Sequence, residues 1–479
     1  MTTGDAGLFW YREKYPTMAG RRYEIDMCSG PILSKIIRFA IPLGATFLMQ
    51  LMFHAADMVV IGRFASHESM AAIGTTGDLL CLLLNLEWGV CGGANVLASQ
   101  AYGAKDHRAL ARTVHTAIAI AIVFGLSVMV FGLIASYPLM RMLNVPAAII
   151  DRAVVYLRIR FIGVPFLLTY TFGYALLRSI GDTRRPLYYL TAAGILNVLL
   201  NLLFVIVFKM DVAGVALATV LSNILSMSLI LRALITMSGP ARLIPKQIKI
   251  YWPVLKRMLW IGIPTGLQGA SYSLSNVIIQ KAINSFGPAA IAGFTSEVLL
   301  EALPHTLSMA MYHTTVTFTG QNYGRKDYKR MVRGIWICLG CSVVSAGVLG
   351  WGMYFSGETL LGLINANVDV IRNGMIRLRT NLTTYFLMGA MEVFNSGLRG
   401  TGRSVAPAIS TFTSICILRV VWLYTAFRWN PTLETLVISY PLSWLVVVLW
   451  NGGMLFFVCR NLLNGKDAAG GKYATVKSR

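Results

Sequence analysis

Long apolar blocks constrain this chain more than any other feature. The blocks at 114–137, 187–208, 405–427 and 433–458 are each long enough to cross a bilayer core as a helix, which takes about 20 residues. Charged residues make up only 13% of the 479 residues and apolar residues 56%, against roughly 25% charged in an ordinary soluble protein. A soluble chain of this length could not cover its surface with so few charges. The chain is therefore expected to be an all-α integral membrane protein. Breaks at Gly, Pro and charge give twelve spans, near 32–62, 68–98, 114–137, 147–177, 187–208, 212–236, 253–280, 287–318, 334–355, 367–396, 405–427 and 433–458. Several exceed what the bilayer requires and are expected to tilt, kink or project beyond it.

A formal charge of +22 would suggest a nucleic-acid partner in a soluble chain. Here the Lys and Arg residues cluster in short gaps between apolar blocks, and no nucleic-acid-binding motif accompanies them. Thirty of them fall on one side: the N-terminal segment, the loops after even-numbered spans and the C-terminal tail. Seven fall on the other: Arg63, Arg141, Arg152, Lys209, Lys281, Arg372 and Arg428. The positive-inside rule then places both termini in the cytoplasm of a multi-pass protein of the cell (inner) membrane. An odd number of spans would destroy this partition. The first 30 residues lack the apolar core of a signal peptide and read as a cytoplasmic lead-in. Cys338 and Cys341 are spaced like a redox or metal pair, but no second pair or nearby His completes a site, so they read as helix-packing residues.

The two halves repeat at an offset of about 221 residues. Ile41-Pro42 recurs as Ile263-Pro264, SQAYGAKD (99–106) as GQNYGRKD (320–327), YLRIR (156–160) as RLRTN (377–381), and LLRSIGDTRRP (176–186) as GLRGTGRSVAP (397–407). An offset of six spans relates the halves by an axis along the membrane normal. Parallel repeats of this kind are a transporter architecture with the substrate path between the halves. The expected organisation is a cytoplasmic segment 1–31, a six-helix lobe 32–236, a cytoplasmic linker 237–252 that lets the bundles move, a second lobe 253–458, and a cytoplasmic tail 459–479.

The repeated residues also carry a family resemblance. ANVLASQAYGAKD (94–106), TFTGQNYGRKD (317–327) and the two LRxxG turns, in order on twelve spans, resemble the multidrug and toxic compound extrusion (MATE) transporters. The resemblance covers about 35–460. It implies a V-shaped pair of pseudo-symmetric six-helix lobes, and export of organic cations or other amphiphiles driven by inward proton or sodium flow.

Charge inside a membrane is costly, so each intramembrane ionisable residue is a functional hypothesis by default. Asp57, in FHAADMVVIG, matches an aspartate of the family, including Pro42 fifteen residues upstream, and the match implies a cation or proton site in the first lobe. Burial in an apolar helix disfavours its charged form. Asn197 and Asn201 share one helix face. They and Thr219 match first-lobe polar positions of the family, although many members have aspartate where this chain has Asn201. Tyr174 stands where the family often has asparagine, and Asn395 occupies the equivalent second-half position. One carboxylate rather than two makes protonation of Asp57 a better expectation than a sodium cage, with sodium as the alternative ion. Pro42 is the expected hinge.

On span 8, Glu297, Glu301 and His305 follow at i+4 steps and form one stripe beside Pro304. The stripe is too polar for lipid and is expected to face the substrate cavity, or else to serve as a second proton site or an interhelical staple. Glu392 on span 10 and Asn395 are expected to line the same cavity, and Glu87 on span 2 belongs with Glu392 among the intramembrane acids. Some members bear an acid on span 7, where this chain has Tyr272, Ser275 and Asn276. Arg158, Arg160, Arg377 and Arg379 are expected to snorkel toward the surface. The glycines at 89, 92, 93 and 103 read as helix-packing residues, because no GxxxxGK[ST] pattern occurs and no ATP site is implied.

No cofactor, catalytic set or metal site is expected. The partners expected are a small cationic or amphiphilic molecule and the lipid bilayer, with the protein acting as a monomer. Two other classes remain. A flippase for lipid-linked sugars would favour an Arg-rich cavity, and an integral membrane enzyme would need a HExxH, Cys/His or GxSxG constellation that the chain lacks.

Overall fold

The computed structural model describes residues 23–64 and 66–466. Every regular element among them is helical. In chain order they are α1 (Ile32–Phe64), α2 (His67–Gly103), α3 (His107–Met142), α4 (Ala147–Ser179), α5 (Arg184–Asn201), α6 (Asp211–Thr236), α7 (Trp252–Asn284), α8 (Pro288–Gly324), α9 (Tyr328–Phe355), α10 (Gly357–Ile364), α11 (Val368–Thr383), α12 (Tyr385–Gly400), α13 (Val405–Thr411), α14 (Leu418–Tyr424), α15 (Ala426–Trp429) and α16 (Leu433–Leu463). Two π-helical stretches, Leu202–Val207 and Phe412–Ile417, continue α5 and α13. Span 10 of the sequence is the pair α11–α12, and span 11 is α13 with its π stretch and α14. Eight segments are long and apolar enough to cross a membrane by length and composition alone. Those below that mark, such as α2 and α8, carry the interior polar residues, which lower their hydropathy without taking them out of the bundle.

The repeated motifs are turn chemistry. In SQAYGAKD, Lys105 takes a left-handed backbone (φ 55°) and Asp106 caps α3, accepting from the Ala109 N–H at 2.9 Å. In GQNYGRKD, Lys326 does the same (φ 63°) and Asp327 accepts from the Arg330 N–H at 3.0 Å. Each motif thus ends one helix and starts the next within three residues. The LRxxG glycines, Gly181 and Gly402, both sit at positive φ, 94° and 87°. A side chain at Gly181 would also strike the Ile25 carbonyl oxygen, 2.2 Å from where its Cβ would lie.

The chain separates into two compact units. Unit 1 holds 23–26 and Ile41–Gly266; unit 2 holds 27–40 and everything described from Leu267 onward. The boundaries therefore fall inside α1 and α7, beside Pro42 and Pro264. They differ from a clean six-plus-six division, and hydrogen bonds give the reason. Within unit 2, Gln321 Oε1 accepts from the Met27 N–H at 3.1 Å, and Asn322 Nδ2 donates to the Met27 carbonyl at 3.3 Å. Arg325 donates to the Cys28 carbonyl at 3.0 Å, and the Arg330 guanidinium donates to the carbonyls of Met27, Ser29 and Gly30 at 2.8–3.0 Å. The second-half motif thus grips the backbone that leads into α1.

Within unit 1 the corresponding role falls to α2 and α3. His115 Nε2 accepts from the Ile244 N–H at 3.1 Å, Thr116 Oγ1 accepts from the Tyr251 N–H at 3.2 Å, and Arg257 donates to Gln100 Oε1 at 3.3 Å. The linker 237–252, expected to connect the lobes and let them move, is hydrogen-bonded to α3 through Ile244 and Tyr251. The start of α7 packs equally closely. A Cβ at Gly89 would lie 2.4 Å from the Gly266 nitrogen, and one at Gly93 would lie 2.3 Å from the Met258 carbonyl oxygen. Those glycines serve the close helix packing expected of them.

Candidate functional site

In unit 1 the last two turns of α1 are fixed by Val60 and Ile61, which pack with Tyr156 of α4, Val205 of the π stretch, and Val212, Val215 and Ala216 of α6. That packing turns Asp57 toward α5. Asn201 Nδ2 donates to Asp57 Oδ1 at 2.6 Å and also reaches Asn197 Oδ1 at 3.3 Å. Asn201 is fully buried, and its own Oδ1 has no hydrogen-bond partner among the described residues. The π-helical stretch begins at the next residue. Such widening of a helix turn is frequent at functional sites. The Arg160 guanidinium of α4 acts electrostatically on Asp57.

The structure therefore brings together Asp57, Asn197 and Asn201. It leaves out Thr219, whose hydroxyl is spent on the Val215 carbonyl of its own helix at 3.0 Å. Tyr174 is also elsewhere, buried against Tyr170 with the Arg178 guanidinium 4.9 Å from its ring centre.

Unit 2 is built differently. Glu297, fully buried on α8, meets Arg377 of α11 at 2.8 Å, and Glu301 one turn on meets the same guanidinium at 3.2 Å. Arg377 lies between the rings of Phe294 and Tyr440, 5.4 Å from each. It is not a snorkelling residue: two carboxylates and two aromatic faces hold it inside. Glu392 takes a hydrogen bond from the Tyr272 hydroxyl at 3.4 Å, and Asn395 Oδ1 accepts from Asn451 at 2.6 Å. His305 lies within electrostatic range of Glu301.

Two further arginines complete the interior. Arg399 donates to Gln268 and to the Tyr312 hydroxyl. Arg419 donates to Ser443 at 3.0 Å and to Ser275 at 3.4 Å, with its guanidinium 4.2 Å from the Tyr440 ring centre. Sequence reasoning missed both. Arg399 stands in the last turn of α12, at an LRxxG turn, and Arg419 is a lone cation inside the apolar block 405–427, the kind of signal that marks an intramembrane site. Among the described residues no group of three or more His, Cys, Asp or Glu side chains could hold a metal ion.

This arrangement can be set beside known proteins. The MatE family model matches residues 42–203 and 264–425, once in each half of the repeat. The chain belongs to the MATE family. It is a multi-pass membrane protein of a multidrug efflux transporter family and not an enzyme. Among its relatives, the probable multidrug resistance protein YpnP of Bacillus subtilis is 27% identical over 394 residues, 82% of this chain and 88% of that protein. The multidrug export protein MepA of Staphylococcus aureus is 21% identical over 88% of this chain and 93% of its own length. Solved MATE structures share the fold. One described as outward-facing has a TM-score of 0.87 at 18% identity, covering 94% of this chain and 99% of its own. A MATE in the straight conformation has a TM-score of 0.86 at 19% identity, covering 94% and 100%. The bent conformation has a TM-score of 0.86 at 18% identity, covering 92% and 98%.

Proposed function

We propose that this MATE transporter is a proton-driven antiporter that exports organic cations or amphiphiles, with Asp57 carrying the coupling proton. One observation carries the reading. Asp57 is a membrane-span carboxylate with no ion-pair partner among the described residues, and its one side-chain donor is the Asn201 amide at 2.6 Å. A carboxylate held by a neutral amide can gain or lose a proton without leaving a buried countercharge behind. A salt-bridged one cannot. Asn201 meets the carboxylate with its N–H and not with oxygen, which suits a proton better than a sodium ion, whose shell is built of oxygens.

Alternating access follows from the same helix. With both termini in the cytoplasm, substrate enters from that side. Proton uptake at Asp57 from outside removes the charge that the Asn201 amide answers, and α1 relaxes. Its flexible point is Pro42, which contributes no N–H to the helix ladder. Beside it, Thr46 Oγ1 also hydrogen-bonds the Pro42 carbonyl at 2.8 Å. The protein acts as a monomer in the bilayer.

The test is efflux from liposomes under a proton gradient and then under a sodium gradient. Asp57→Asn is expected to fold and bind substrate, and to lose proton-driven efflux. Retained proton-driven efflux in Asp57→Asn would remove Asp57 from coupling; wild-type efflux driven only by sodium would overturn the ion.

A further inference from the structure

His115 of α3 is buried, at 4% exposure, and both of its ring nitrogens are committed. Nδ1 lies 2.7 Å from the Ala111 carbonyl oxygen, one turn back on the same helix. Nε2 lies 3.1 Å from the backbone nitrogen of Ile244 in the linker 237–252. A carbonyl can only accept and a backbone N–H can only donate. The imidazole therefore carries its hydrogen on Nδ1 and presents a lone pair at Nε2, which is the neutral ring in a single tautomer. A second proton would have to go to Nε2. It would set one N–H against another where the linker needs an acceptor. The bond to Ile244 exists only while His115 is uncharged.

The neighbouring anchors of the linker do not titrate. The Leu243 N–H donates to the Leu234 carbonyl at 2.9 Å, and the Tyr251 N–H to Thr116 Oγ1 at 3.2 Å. The charged groups around the ring are mostly cations. Arg112 stands one turn before it on α3, its guanidinium 5.5 Å from the Tyr251 ring centre, and His107 and Arg108 open that helix. The linker carries Arg242, Lys246 and Lys249, and beyond it Arg257 of α7 donates to Gln100. Of the helices packed on α3, α2 leads into Lys105 and Asp106, and Asp106 caps α3. The other, α4, ends near Arg178, followed by Asp182 in its pair with Arg185. Neither aspartate hydrogen-bonds the imidazole, so a charged ring has no anion to hold it in place.

We propose that His115 is a pH sensor for the linker: its protonation releases the 244–251 segment from α3 and slows transport. That segment leads directly into α7, so its release loosens the start of that helix. On the topology proposed above this face is cytoplasmic. A proton-driven antiporter acidifies that compartment as it works, and the sensor then restrains the transporter that delivered the protons. The effect on transport rests on the proton-driven reading; the release of the linker does not.

The experiment is hydrogen–deuterium exchange of the purified transporter in nanodiscs. Protection of the Ile244 amide is read at about pH 7.5 and about pH 5.5, on either side of the ordinary range of an imidazole. In the wild type it should fall at least about tenfold in acid, as expected for one buried hydrogen bond lost. His115→Gln, neutral at both values and still offering an acceptor, should stay protected at both. Exchange at the His115 C2–H, which follows ring protonation and needs no variant, should trace the same pH curve as the loss of Ile244 protection. Protection unchanged in acid, lost equally in His115→Gln, or lost at a pH apart from the C2–H curve would overturn the sensor. Efflux from proteoliposomes completes the test, with one proton gradient set at either cytoplasmic-side pH. Wild type and His115→Gln should match at the higher value, and the wild type alone should lose efflux at the lower. Equal efflux at both would overturn the effect on transport. A wild type driven only by sodium would sink the proton reading and leave the exchange results standing.

Discussion

The carboxylates inside the two units stand in opposite situations. In unit 1, neither Asp57 nor Glu87 has an ion-pair partner among the described residues, and Asp57 leans on a neutral amide. In unit 2, Glu297 and Glu301 share one buried guanidinium, Arg377, itself enclosed by Phe294 and Tyr440. The halves descend from one repeat, yet Arg377 aligns with Tyr156 and Asp57 has no acidic counterpart on α7. A buried ion pair resists a change of charge, because removing either partner strands the other. A carboxylate held by an amide lacks that restraint. On the proposed reading, charge switching belongs to the first unit, while the Glu297–Arg377–Glu301 cluster cross-links α8 to α11 in the second.

The largest effect that can break this comparison is the loss of Arg377. Arg377→Leu strands two carboxylates in the interior, at a cost of about 3–5 kcal/mol. Protein should be largely lost from membranes, as read by fluorescence-detected size-exclusion chromatography. Glu297→Gln combined with Arg377→Gln should recover much of it. Normal folding of Arg377→Leu alone would show that the pair is not the staple described. Asp57→Asn sharpens the contrast from the other side: it should change stability by no more than about 1 kcal/mol while abolishing proton-driven efflux.

A smaller loss is expected at the grip on the lead-in to α1. Arg330→Ala removes charge-assisted bonds to the carbonyls of Met27, Ser29 and Gly30, at about 2 kcal/mol. Residues 27–30 should become accessible to protease at temperatures where the wild type resists, with little change in Asp57-dependent coupling. Equal loss of coupling would mean that the grip and the proton site are one device, and that the units do not divide the labour.

The fold was largely legible in the sequence, and the sites much less so. Apolar blocks and basic loops are one-dimensional signals, so spans and repeat could be read directly. The motif SQAYGAKD could be recognised as a repeat without revealing why it is there. Its reason, a left-handed Lys105 followed by an Asp106 cap, is a backbone fact. The Asp57–Asn201 pair was within reach because each residue is polar in an apolar helix. Arg377 was not, because its sequence neighbourhood in RLRTN resembles the YLRIR of a span end, and only the fold shows Glu297 and Tyr440 waiting for it. The i+4 spacing of Glu297, Glu301 and His305 correctly gave one helix face but not what that face meets.

The smallest effect, and the one that tests the comparison most finely, is that of Glu301→Gln. Glu301 is the more exposed partner of Arg377, its side chain 21% accessible against none for Glu297. Two carboxylates on one guanidinium leave an excess negative charge. Glutamine at 301 removes that excess while its carbonyl still accepts from the Arg377 N–H. The remaining Glu297–Arg377 pair is then neutral overall, so stability should hold or rise slightly, within about 0.5 kcal/mol. If the charge of Glu301 is already answered inside the protein, a cationic substrate has little to gain from it. Export of cationic and neutral dyes should then fall by less than about twofold each, a change worth under half a kcal/mol. A selective loss of cationic dye export, with folding intact, would mean that Arg377 yields Glu301 to substrate during transport. The second unit would then hold a cavity charge of its own, and the division between a switching unit and a stapled one would fail.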